Sequence, residues 1–213
     1  DALPIYCQIG PRRKERQRLP HTWRCFTIHR MNDTTQPALP SCVINCVVYD
    51  KDGKRHDIGL DAISDVLANE DSGFIWVGLY EPADEILEKL QEEFGLHDLA
   101  IEDAQNAHQR PKLEAYGNSL FAVVHTAQVV NEKIVYGETH AFLGPRYLVT
   151  VRHGASLSYA PVRERVQREP ELLVLGPSYG LYAVLDFIVD NYRPIIDEFR
   201  DTAPRAGRVI AGR

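Results

Sequence analysis

Three strand-like runs follow one another in the second half of the chain with no helix between them. Residues 120–130 and 134–143 flank Asn131-Glu132, a hairpin signal, and 147–152 comes directly after. Parallel neighbours need a crossover of about a dozen residues or more, so a sheet built from these runs is mixed rather than all parallel.

Upstream, 43–49 is a β-rich run closed by the turn signal Asp50-Lys51-Asp52-Gly53. Residues 60–68 read as a short helix with Ile63, Val66 and Leu67 on one side, and 74–80 as a buried strand. Pro82 opens a helix whose stripe is Ile86, Leu87, Leu90 and Phe94, and Gly95 ends it. Residues 97–107 predict a helix capped by Asp98 and stopped by Pro111. After the three strands come a helix over 156–168 and a long one over 179–200, expected to kink at Pro194. The order β-α-β-α-α-β-β-β-α-α predicts an α/β fold: a mixed sheet sandwiched between helices (αβα), ending in the start of a long helix.

Four segments follow: a disordered leader over 1–41, the sandwich over 42–178, the long helix over 179–200, and an atypical tail over 201–213. Met31 reads as a natural start, so residues 1–30 are expected to be foreign to the fold. Pro204 and Gly207 are expected to end the helix.

Of the 213 residues, 44% are apolar and 25% charged, which excludes wholesale disorder. The charge is uneven. Residues 1–30 sum to +5, whereas 31–200 hold 27 acidic against 14 basic residues. An acidic body argues against nucleic acid and favours cations. No stretch approaches the roughly 20 apolar residues of a membrane span; the best, 181–189, is interrupted by Asp186. Residues 1–30 hold no apolar core and are not expected to act as a secretory signal.

Cys7, Cys25, Cys42 and Cys46, with His21 and His29, invite a zinc reading. Four residues along a strand span about 13 Å, too far for Cys42 and Cys46 to share one ion. Reduced, unpaired thiols are the better reading. Dinucleotide, P-loop and serine-elbow motifs are absent. Asp103 falls in the helical row Leu96, Leu99, Ala100, Asp103, Ala107, where a carboxylate needs a base, a capped backbone or a metal ion. The plain expectation is a salt bridge to Arg110 or Lys112. Asp186, Asp190 and Asp197, with Arg193 among them, lie within about 40° on the long helix and read as a solvated face. His125, His140 and His153 have no nucleophile beside them and receive no catalytic role.

Residues 98–114, with Glu102-Asp103, Asn106, His108 and Gln109-Arg110-Pro111-Lys112, resemble the signature of CorA-type divalent-cation channels, His-Pro-Leu-x-x-Glu-Asp-x-x-Asn-x-x-Gln-Arg-Pro-Lys. Asp98 stands where that family has proline. Pro161-Val-Arg163-Glu-Arg165 and Tyr182-Ala-Val-Leu-Asp186-Phe-Ile-Val-Asp190-Asn-Tyr192 are similar to two further family stretches, so the resemblance covers about residues 43–200.

The resemblance implies a cytosolic domain of an inner or plasma membrane protein, not an enzyme. In the family the long helix leads into two membrane spans with a Gly-Met-Asn motif, five copies form a funnel, and Mg²⁺ between neighbouring domains holds the channel closed. The intersubunit ligands map onto Asp103, Glu102, His108 and Asp186. The expected ion is Mg²⁺, with Co²⁺, Ni²⁺ or Zn²⁺ as alternatives. The spans, the Gly-Met-Asn motif and the carboxylate that partners Asp103 are not in this sequence. This piece is therefore expected to be soluble, and a monomer or weak oligomer rather than the full pentamer. The competing expectations are a domain of a zinc-transporting relative, or a standalone cytosolic α/β protein that kept the fold.

Overall fold

The structure, a computed structural model, describes residues 39–131 and 133–210. Its strands are β1 (Val43–Tyr49), β2 (Arg55–Asp57), β3 (Phe74–Tyr80), β4 (Lys112–Tyr116), β5 (Ser119–Val130), β6 (Lys133–Gly144) and β7 (Tyr147–Gly154). Its α-helices are α1 (Ile63–Ala68), α2 (Asp84–Phe94), α3 (Asp98–Gln105), α4 (Ala160–Val166), α5 (Pro170–Leu173) and α6 (Pro177–Ile210). The strands form one sheet in the order β2-β1-β3-β7-β6-β5-β4. Among the described residues only β3 and β7 pair in parallel, through Val77↔Val149. The chain between them holds α2, α3 and three strands, which supplies the long crossover that parallel pairing demands.

Alternate residues face opposite layers. Ile75, Val77 and Leu79 of β3 join Val149 and Val151 of β7 in a core closed by Ile63, Leu87, Leu90 and Ile101 of α1–α3. Trp76 and Leu148 point the other way and pack under Val162, Val166, Leu173, Val184 and Ile188 of α4–α6. The predicted αβα sandwich is thus present. Gly78 on β3 faces Asn45 so closely that a Cβ there would stand 2.2 Å from Asn45 Oδ1. Asn45 lies at a register shift in β1 and donates from Nδ2 to Trp76 O at 2.9 Å.

Several boundaries differ from expectation. β2 and β4 are short edge strands with polar residues and no long apolar run, so periodicity hid them. His97, not Asp98, caps α3, its Nδ1 accepting from Leu99 N–H at 3.3 Å; Asp98 instead accepts from Gln91 at 2.7 Å. α4 is shorter than its predicted range, and α5 follows it. α6 continues past Arg200 to Ile210 rather than stopping before Pro204. A proline removes one backbone donor, but its own φ is helical. The leader through residue 38, with Cys7 and Cys25, and the last three residues lie outside the described residues.

Candidate functional site

Glu102 and Asp103 sit in the last turns of α3. The helix buries Ala100, Ile101 and Ala104, which rotates Leu99 outward to 56% exposure and leaves Asp103 at the margin of the core. The apolar row read from sequence was therefore offset by one position. Asp103 is half-buried, and Lys112 Nζ on β4 donates to its Oδ2 at 2.6 Å. Lys112 also reaches Glu114 Oε2 at 3.1 Å, and Tyr116 Oη donates to that oxygen at 2.8 Å. The Asp103 hydrogen bond, more than the Glu114 one, raises the Lys112 pKa. Of the two bases that the sequence offered Asp103, the structure selects Lys112.

Beyond α3 the chain is fastened residue by residue. Asn106 Nδ2 donates to Glu102 O, and Gln109 Nε2 to Asn106 O, each at 2.8 Å. His108 adopts φ 74°, and its backbone N–H donates to Glu138 Oε1 at 2.7 Å. His125 Nε2 donates to Gln109 O at 2.8 Å. His153 Nε2 lies 3.0 Å from Ala104 O and its Nδ1 3.2 Å from Glu81 Oε2, so both ring nitrogens face acceptors. Beneath lies His140, whose Nε2 donates to Glu138 Oε1 at 3.1 Å. A cleft of about 590 Å³ opens over this floor, lined by His108, Arg110, His125, Glu138 and His153.

Sequence reasoning missed this floor. Glu138 and His140 precede Phe142 at two-residue spacing on β6, and Glu138 pairs in register with His153. A buried polar ladder on a strand's core face was the available signal.

Asp186 is elsewhere, half-buried on α6 in the opposite layer of the sandwich. Arg165 Nη1 lies 3.0 Å from its Oδ2, and Arg165 Nη2 donates to Ala183 O at 3.3 Å. Of the four residues singled out in the sequence, Glu102, Asp103 and His108 share one neighbourhood and Asp186 does not. Among the described residues no three His, Cys, Asp or Glu side chains group to hold a metal ion. Cys42 and Cys46 are free, and burial pushes the Cys46 thiol up to about 12.

The family model described as CorA-like Mg²⁺ transporter protein matches residues 71–210. The chain belongs to this family. YfjQ of Bacillus subtilis strain 168 is 34% identical over 131 residues, 62% of this chain and 40% of that protein. The cobalt/magnesium transport protein CorA of Thermotoga maritima is 27% identical over 120 residues, 55% of this chain and 34% of that protein. The match thus spans 40% or less of the length of these two relatives. The solved soluble domain of CorA from Methanocaldococcus jannaschii has the same fold, with a TM-score of 0.57 at 19% identity over 79% of this chain and 66% of that one. Among the described residues no helix is long and apolar enough to cross a membrane.

Proposed function

We propose that this chain is the ion-sensing regulatory domain of a CorA-type divalent-cation channel, binding Mg²⁺ between neighbouring copies. Co²⁺ and Ni²⁺ suit the same oxygen-rich ligands. The observation that carries the reading is the placement of the acidic groups. Glu102 and Asp103 lie in one outer layer and Asp186 in the other. In a ring of identical subunits each junction joins two different faces of the chain. Acidic groups on both faces meet there, and a hard cation with oxygen ligands and water relieves their repulsion. Bound ions favour the symmetric closed assembly, and their loss releases it. In this reading the conducting spans follow α6 in the full-length protein, and the domain faces the cytoplasm.

The test is thermal unfolding with titrated Mg²⁺, Co²⁺, Ni²⁺, Zn²⁺ and Ca²⁺, on wild type and on Asp103→Ala. An ion that binds only the native state raises the midpoint by mass action. Mg²⁺ or Co²⁺ is expected to raise it in wild type and not in Asp103→Ala. Stabilisation by Zn²⁺ alone, indifferent to Asp103, would overturn the reading in favour of a zinc protein. No response to any ion would favour a standalone α/β protein.

A further inference from the structure

Asp103, one of the carboxylates that the proposed site needs, is already paired with a side chain of the same copy. Lys112 is no loose surface lysine. Pro111 fixes the backbone as it enters β4, and Lys112 pairs in register with Val123. Its ammonium lies in a built socket, 2.6 Å from Asp103 Oδ2, 3.1 Å from Glu114 Oε2 and 5.7 Å from the centre of the Phe121 ring. Asp103 and Lys112 side chains are only 20% and 29% exposed, so water screens the pair incompletely. Arg165 also pairs with Asp186, at 3.0 Å, but there the side chains are 43% and 36% exposed.

We infer that Lys112 is a tethered counter-ion that occupies Asp103 when no metal is bound, so that a divalent cation binds only by displacing it. The inference rests on the site reading above and adds what sets its threshold. A monovalent ion that replaces an ammonium exchanges one unit charge for another and gains almost nothing. A divalent ion brings one charge more, and two carboxylates, Asp103 and Glu114, stand ready to receive it. The tethered lysine therefore selects for charge and raises the concentration at which the site fills.

The experiment is calorimetric titration of Mg²⁺ into the whole chain, with melting temperatures in EDTA and in saturating Mg²⁺. The proteins are wild type, Lys112→Met, Lys112→Gln, Asp103→Asn and Arg110→Met. Lys112→Gln keeps a donor for Asp103 without the charge, should the methionine variant fold poorly. Removing the lysine is expected to lower the Mg²⁺ midpoint about threefold or more, the scale of a half-exposed ion pair. The same variant melts lower than wild type in EDTA and recovers more of that loss in Mg²⁺. Arg110→Met removes an equal charge nearby and leaves the midpoint within about twofold, because Arg110 does not hold Asp103. If the lysine variants lose stability with an unchanged Mg²⁺ midpoint, while Asp103→Asn still abolishes binding, Lys112 is only a brace. The inference then fails and the site reading survives. If Asp103→Asn binds as wild type does, or if neither wild type nor the lysine variants bind, both fail together.

Discussion

His140 has no exposed surface, and burial outweighs the neighbouring Glu138 carboxylate to push its pKa down to about 4. Its imidazole is therefore neutral at pH 7, with the proton on Nε2 toward Glu138 and Nδ1 without a partner. An unfolded histidine titrates near 6.5. Below that pH the unfolded chain takes up a proton that the native ring refuses. The contribution of His140 to stability is complete above pH ~6.5 and is lost as the pH falls toward 4, on the order of 3 kcal/mol in all. Urea unfolding at pH 7, 5.5 and 4.5 should show this slope in wild type and a flatter one in His140→Gln; an identical slope would refute it. Glu138 also holds the His108 backbone, so Glu138→Ala should cost about 2–3 kcal/mol in the same assay by leaving buried donors unpaired. An unchanged denaturation midpoint would show that the loop does not depend on Glu138. At this scale the sequence was half legible. Asp103 announced its need for a base because a carboxylate in one helical row with Leu99, Ala100 and Ala107 is conspicuous. Glu138 and His140 did not: they are neighbours on β6, but the His108 backbone and His153 that complete the group come from a loop and a strand elsewhere in the chain.

Elements with a long apolar signal, β1, β3, α2 and α6, were readable from periodicity alone. β4 was not: Lys-Leu-Glu-Ala-Tyr alternates, but Leu113 faces outward at 69% exposure and the half-buried side carries Lys112 and Glu114. Its place is fixed by pairing with β5, which no local pattern contains. Gly78 shows the same limit within a readable strand. It weakens β3 by propensity, yet it is required because Asn45 of the neighbouring strand fills the space of a side chain. Gly78→Ala should therefore destabilise the domain by about 2 kcal/mol or more. Asn45→Ala in the same chain should recover part of that loss, a coupling that a double-mutant cycle measures in denaturant. Strictly additive effects would mean that the close approach is not what excludes a side chain.

The whole molecule presents acidic groups from both outer layers, on a body whose charges over residues 31–200 are 27 acidic and 14 basic. In the proposed reading, copies of such a chain associate only when cations intervene. The layer order and the long last helix were legible because burial pattern and connection length dictate them. The distribution of Asp103 and Asp186 over opposite layers was not, since it depends on the β3–β7 crossover. The measurement that tests the central claim most directly is sedimentation velocity of wild type and Asp103→Ala, in EDTA and in millimolar Mg²⁺. The account predicts monomer or weak association in EDTA, a Mg²⁺-dependent rise in mass for wild type, and none for the variant. A stable pentamer in EDTA, or Mg²⁺ bound by wild type with no change in mass, would contradict it.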